Sequence, residues 1–271
     1  MRPYSRVYAT VNLDAVASNM RSMRDNLPAS TLIMGSVKAD GYGHGSVPVA
    51  KTIEPYVFGY AVATIDEGII LRRHGINKTI LILGVTHESR YEDLLRYDIR
   101  TAMFQYEKAK KLSDLALKQG KKAVVHLALD TGMSRIGMKA DREHAKEAAA
   151  IAALEGIEVE GLFTHFARAD ETDKSAYEEQ YRRYKEFLGY LKELGVKIPI
   201  RHCSNSAGIV ESLESNHMDM VRAGIAIYGM YPSDEVDHNS VKLTPAMEIK
   251  SCITYIKEIE AGTAVSYGGT F

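Results

Sequence analysis

Lys38 is the residue best placed for covalent chemistry. It ends the apolar run Leu32-Ile33-Met34-Gly35-Ser36-Val37 and opens the glycine-rich stretch Ala39-Asp40-Gly41-Tyr42-Gly43-His44-Gly45. A lysine at the end of a buried strand is shielded from water, which disfavours its ammonium form. An unprotonated amine there can form a Schiff base with an aldehyde cofactor and shuttle protons. The glycines let the backbone approach a ligand closely, and Tyr42 is near enough to offer a hydroxyl to a phosphate. The other reading of this segment is a lysine snorkelling from a strand end beside a flexible turn.

Four further groups recur at the ends of apolar runs: Asp130-Thr131-Gly132-Met133-Ser134-Arg135, Thr164-His165-Phe166, His202-Cys203-Ser204-Asn205-Ser206 and Arg222-Ala223-Gly224-Ile225. Singly, each has a plain alternative. His165 fits a satisfied core histidine, Arg135 a surface ion-pair partner, and Ser206 a helix cap. Convergence of five such groups on one rim of a fold argues for a site. Ser206 and Gly224-Ile225 suit a phosphate held by backbone N–H groups. A lysine on one side and phosphate donors on the other match the needs of pyridoxal phosphate. Arg222, always charged and only a donor, would then face the pyridine nitrogen and keep it unprotonated. That weakens the cofactor as an electron sink and favours prompt reprotonation over transamination.

The elements that must position these groups alternate in type. Strand-like runs occupy residues 32–38, 56–61, 79–83, 99–104, 123–129, 159–164, 199–203 and 218–222. Helical spacing lies between them, near 66–73, 88–97, 105–119, 141–154 and 207–213. The clearest is Tyr177, Tyr181, Tyr184, Leu188 and Leu191, closed by Gly195. Such alternation implies parallel strands with crossover helices, and eight strands predict a closed (β/α)8 barrel, with function at the C-terminal rim. The tyrosine stripe is read as core. A strand at 7–13 and a helix carrying Leu13, Val16, Met20, Met23 and Leu27 precede the barrel. After Thr244-Pro245 the period changes: 246–259 reads as strand, followed by a turn and Ala264 to Phe271. Residues 1–244 are therefore expected to form the barrel domain, and 245–271 the start of a β-rich domain whose remainder is absent.

With 271 residues and a net charge of −1, the chain has no basic block to suggest nucleic acid. Cys203 and Cys252 are too few for a disulfide framework or a zinc cluster, so no metal is expected. No apolar run is long enough to span a membrane and no signal-peptide core opens the chain, which predicts a cytoplasmic protein.

Val37-Lys38-Ala39-Asp40-Gly41-Tyr42-Gly43-His44-Gly45 resembles the cofactor-lysine motif of bacterial alanine racemases. The similarity continues through Asp130 to Gly137, Gly161 to Phe166, His202 to Ser206, Val221 to Ile225 and Val265-Ser266-Tyr267-Gly268, in family order. The resemblance implies a pyridoxal-phosphate barrel followed by a β-domain, in a head-to-tail homodimer that racemises L- and D-alanine to supply peptidoglycan. It implies that Lys38 carries the cofactor and serves one enantiomer, while Tyr267 of the partner subunit serves the other. Arg135, with Met133 beside it, would meet the substrate carboxylate, and Arg222 the pyridine nitrogen with His165 behind it. Tyr42, Asn205, Ser206, Gly224 and Ile225 would complete the cofactor contacts.

Two departures stand out. The family often carries a carbamylated lysine before Asp-Thr-Gly, where this chain has Ala128, so something else, for example a bound anion or water, must position Arg135. The family's further β-domain residues, which bear on substrate choice, are also missing. Rival readings are a serine or broad-specificity racemase and a non-catalytic pyridoxal-phosphate-binding barrel. Tyr267 and the residues after Pro245 argue against the latter. An open-sheet binding protein is a remote third, because no dinucleotide fingerprint opens a helix.

Overall fold

Runs that are apolar at nearly every position need cover on both faces, and this chain supplies it by following most of them with a helix. The structure, a computed structural model, describes residues 6–270. In chain order the elements are β1 (Val7–Val11), α1 (Leu13–Asp25), β2 (Leu32–Ser36), α2 (Lys38–Tyr42), α3 (Ser46–Ile53), β3 (Gly59–Val62), α4 (Ile65–Arg73), β4 (Thr79–Ile82), α5 (Tyr91–Tyr97) and β5 (Arg100–Met103). There follow α6 (Tyr106–Lys118), β6 (Ala123–Asp130), β7 (Met138–Lys139), α7 (Arg142–Ala152), β8 (Ile157–Phe163), α8 (Ser175–Glu193), β9 (Ile200–His202), α9 (Ser206–Val210), β10 (Met220–Ala223) and β11 (Met247–Ser251). The strands β2, β3, β4, β5, β6, β8, β9 and β10 pair in parallel, and the β5–β6 pairing closes them into a (β/α)8 barrel. Each of the eight expected runs overlaps one barrel strand.

A large apolar cluster lies between strands and helices and takes in Ile33, Ile80, Ile82, Val125 and Leu127. A separate cluster of Met34, Ala61, Leu81 and Met220 fills one side of the barrel interior. The stripe on α8 is core as expected, through Tyr177, Tyr181, Tyr184, Phe187 and Leu191, with Leu188 only partly buried. After β10 the chain makes a short 3-10 turn, Ile225–Tyr228, instead of a barrel helix. Helix α1 packs there. Its buried Asn19 donates to the carbonyls of Ile227 and Thr244, at 3.1 and 2.9 Å, and accepts from the Thr244 N–H at 2.7 Å.

Three expectations need correction. The first strand stops at Ser36, two residues before Lys38. The cause is a left-handed turn: Ala39, Asp40, Gly41, Tyr42 and Gly43 have φ of 50, 50, 63, 52 and 84°. The expected strand at 246–259 is ordered only as β11, which pairs antiparallel with β1 from Val11↔Met247 to Val7↔Ser251. Past residue 251 no partner strand continues the ladder among the described residues, so 252–259 carries no regular structure. Phe271 lies outside the described residues. Finally, α9 is capped by Asn205, whose Oδ1 accepts from Gly208 N–H at 3.2 Å, and not by Ser206, which is already helical. Among the described residues, no helix is long and apolar enough to cross a membrane.

Candidate active site

The left-handed turn presents Lys38 and Tyr42 at the C-terminal rim of the barrel. An L-residue in this conformation costs about 1–2 kcal/mol, so the turn must be held. The N–H of Gly41 bonds Val37 O at 2.9 Å, and the N–H of Gly45 bonds Asp40 O at 2.9 Å. Asp40 Oδ1 accepts from Ser46 N–H at 2.8 Å. Glu67 on α4 clamps the turn to the next strand, accepting from Ala39 N–H at 2.9 Å and Ala63 N–H at 2.7 Å. Lys38 itself is half-buried rather than enclosed, with Nζ 4.6 Å from the centre of the Tyr42 ring. Sequence reasoning passed over Glu67, although Thr64 three residues earlier marks a capping sequence.

A cavity of about 470 Å³ opens beside this turn, lined by Lys38, Tyr42, Arg135, His165, Asn205, Ser206, Arg222, Gly224 and Ile225. Nine of the eleven expected site residues thus meet at one place. Met133 is partly buried but off the cavity wall. Tyr267 is fully exposed, at 103 %, and away from this cavity. Ser36, Gly84, Ile136, Asp170 and Pro232 also line the cavity and were not anticipated. Ser36 ends β2 and Ile136 lies within the Asp130–Gly137 motif, while Gly84, Asp170 and Pro232 lie between the recognised motifs.

The deep wall is built around Arg222, 3 % exposed. Its Nη1 donates to His202 Nδ1 at 2.8 Å and to His202 O at 3.1 Å. Its Nη2 donates to Thr164 O at 2.6 Å, to Cys203 O at 3.1 Å and to His165 Nδ1 at 3.1 Å. Burial pulls the guanidinium down to about 10, which leaves it charged at neutral pH. Burial first, and then the nearby cations Arg222, Arg135 and Lys38, push His165 down to about 3, so its ring is neutral. Two buried polar atoms on this wall have no protein partner among the described residues: Arg222 Nε and Ser36 Oγ. Buried donors and acceptors are seldom left unpaired, so a bound polar group fits here.

On the opposite side, Ser206 Oγ accepts from the N–H groups of Gly224 and Ala226, at 2.9 and 3.4 Å. A Cβ added to Gly224 would lie 3.4 Å from Tyr42 Oη and 3.6 Å from Ser206 Oγ. The two hydroxyls therefore converge over a bare backbone, a cradle of the size and chemistry of a phosphate. Lysine, phosphate cradle and a buried donor between them match the aldehyde, phosphate and ring nitrogen of pyridoxal phosphate.

At the mouth, Arg135 is exposed and makes no hydrogen bond or ion pair among the described residues. Ala128 is buried among Ala102, Phe163, Leu83 and Phe104. No group of three or more potential metal ligands occurs among the described residues.

Residues 11–232 match the family described as alanine racemase, N-terminal domain. The chain is 43% identical over 266 residues to the alanine racemase of Desulforamulus reducens, covering 98% of this chain and 72% of that one. It superposes on the alanine racemase of Clostridium difficile with a TM-score of 0.93 at 41% identity, over 100% of this chain and 70% of that one. The alanine racemase from Bacillus anthracis with bound L-Ala-P gives a TM-score of 0.90 at 33% identity, over the same 100% and 70%.

Proposed function

The chain belongs to the alanine racemase family, and from that premise we propose that it interconverts L- and D-alanine with pyridoxal 5'-phosphate held in the rim cavity. The observation that carries the reading is the pair of partnerless buried atoms, Ser36 Oγ and Arg222 Nε, on the wall of a cavity that also holds Lys38. Leaving such atoms unpaired costs roughly 1–3 kcal/mol each, and a polar aromatic ligand removes that cost. When bound, pyridoxal phosphate supplies an aldehyde that couples to amines and a conjugated ring that draws electrons from the substrate α-carbon.

Lys38 holds the cofactor through Nζ and exchanges the α-proton on one face. Arg222, whose Nε is free to donate, would meet the ring nitrogen and, with no proton to give up, would leave it unprotonated. That would keep the ring's electron demand moderate and favour return of the proton to the α-carbon. His165, neutral, accepts from Arg222 and steadies it. Tyr42 and Ser206, with the backbone at Gly224 and Ile225, bind the phosphate, and Asn205 borders them. Arg135 orients the substrate carboxylate, with Met133 on the same loop. Tyr267 of the partner subunit serves the other face in a head-to-tail homodimer, and the full exposure of this chain's own Tyr267 supports that assignment. The D-alanine formed serves peptidoglycan synthesis.

Loading with pyridoxal phosphate and reducing with borohydride should fix the cofactor on Lys38, as read by peptide mapping. Lys38→Ala should lose both that adduct and exchange of solvent deuterium into D-alanine. An adduct on another lysine would overturn the placement. Equal racemisation of L-serine would widen the substrate class.

A further inference from the structure

Arg222 is a fully buried cation that no carboxylate touches among the described residues, yet a hydrogen-bonded line runs from it to one. His202 Nδ1 receives the Arg222 Nη1 donor at 2.8 Å. His202 Nε2 lies 2.8 Å from His126 Nδ1, and His126 Nε2 lies 2.9 Å from Glu160 Oε2. Both rings are completely buried. We propose that Glu160 is a positioning residue for Arg222, acting through His126 and His202 as the acceptor that ends a one-way hydrogen-bond line. The proposal rests on the reading above only in what Arg222 then does for the cofactor.

The direction of the line follows from its two ends. Arginine only donates and a carboxylate only accepts. His202 must therefore accept at Nδ1 and carry its proton on Nε2. His126 must accept from that proton at Nδ1 and carry its own on Nε2, aimed at Glu160. Any other neutral tautomer sets two donors or two acceptors face to face. Burial holds both imidazoles neutral, outweighing in His126 the pull of Glu160. Burial would raise the Glu160 carboxyl, but His126 and Arg100 together outweigh it and hold it below its usual range. Arg100 Nε stands 3.5 Å from Glu160 Oε2 at the first residue of β5, so the line ends at the N-terminal rim, opposite the cavity.

Two local features of β8 exist to place these groups. The β6–β8 register runs from Val125↔Val159 directly to His126↔Gly161, so Glu160 is an extra residue in a bulge. Bulges re-aim a side chain, and this one turns Glu160 towards His126. At Gly161 an added Cβ would stand 2.5 Å from His126 Nδ1 and 2.7 Å from its Cε1. The glycine reserves the space the ring occupies.

The test reads tautomers directly, on apoprotein labelled with 15N-histidine. Multiple-bond nitrogen–proton spectra should show His126 and His202 as neutral rings protonated on Nε2. Glu160→Leu removes the terminal acceptor and should shift one or both rings to mixed tautomers. Glu160→Gln, whose amide oxygen still accepts, should retain the native pattern. The pyridoxal-phosphate dissociation constant should rise about tenfold or more in Glu160→Leu, the scale of one hydrogen bond to a charged group, and recover in Glu160→Gln. A native His202 ring protonated on Nδ1 would overturn the proposal, and so would tautomers unmoved in Glu160→Leu. Shifted tautomers with unchanged cofactor affinity would overturn the link to Arg222. Failure of the native protein to bind pyridoxal phosphate would count against the cofactor reading alone, since the tautomer spectra need no cofactor.

Discussion

Three histidines around Arg222 should make the folded protein lose stability on mild acidification. Burial and then Arg222 and His126 push His202 well below its ordinary value, burial lowers His126, and His165 is held near 3. In the unfolded chain each titrates near about 6.5. Below that pH the unfolded state binds protons that the folded state refuses, so the contribution is complete above about pH 6.5 and drains away as pH falls. A histidine that stays neutral when folded costs about 1.4 kcal/mol per pH unit in this window, or about 2 kcal/mol between pH 7 and 5. His202 and His165 together could remove up to about 4 kcal/mol, with His126 adding in the same direction, against a typical total of about 5–15 kcal/mol. Carboxylates titrate lower, near about 4 in the unfolded chain, and enter little above pH 5. Urea unfolding of the apoprotein at pH 7, 6, 5.5 and 5 measures the slope. His165→Gln, which removes one ionisation at the cavity wall, should reduce it by about 1.4 kcal/mol per unit. Stability unchanged between pH 7 and 5 would refute the neutral-histidine account, and an undiminished slope in His165→Gln would remove that residue from it.

Arg222→Leu should destabilise the fold by roughly 3 kcal/mol, because the carbonyls of Thr164, His202 and Cys203 lose a donor while the desolvation of a cation is relieved. A urea-derived loss under about 1 kcal/mol would show that those acceptors find other partners. In the left-handed turn, Ala39→Gly should stabilise by up to about 1 kcal/mol and Gly43→Ala should destabilise by about 1–2 kcal/mol. The same denaturation curves check both signs, and equal effects would mean the turn relaxes to a right-handed form.

The barrel was legible because its strands are buried on both faces and so read as uninterrupted apolar runs, set apart by helical spacing. The rim residues were legible because they follow those runs. Other features escaped for identifiable reasons. Helix α3 carries Pro48 near its start and follows three glycines, which reads as turn. The end of the first strand depends on five consecutive positive φ values, and only the glycines among them advertise such a conformation. Strand β11 was overextended because Ile249, Ile253, Tyr255 and Ile256 form a strand-like pattern, yet only residues opposite β1 have a partner. His126 sits inside an apolar run, and Glu160 owes its aim to a bulge. Neither residue type nor spacing joins positions 126, 160, 202 and 222, which meet only when the sheet closes.

The site divides into two parts with different physical support. Below the rim, Arg222 is fixed by five contacts, the phosphate cradle by Tyr42, Ser206 and the bare Gly224 backbone, and the lysine turn by Glu67 and Asp40. These groups are held by the barrel's own strands, turns and hydrogen bonds, the line from Glu160 to Arg222 among them. At the mouth, Arg135 is exposed without a partner among the described residues and Tyr267 is fully exposed. A long cationic side chain free in solvent samples many rotamers and loses that freedom on binding. On the proposed function, cofactor capture would fall to the rigid barrel interior, and substrate orientation and second-face proton transfer to the exposed groups at the mouth. Substitutions below the rim should act on cofactor affinity and fold stability together, and those at Arg135 or Tyr267 on turnover with the fold left intact.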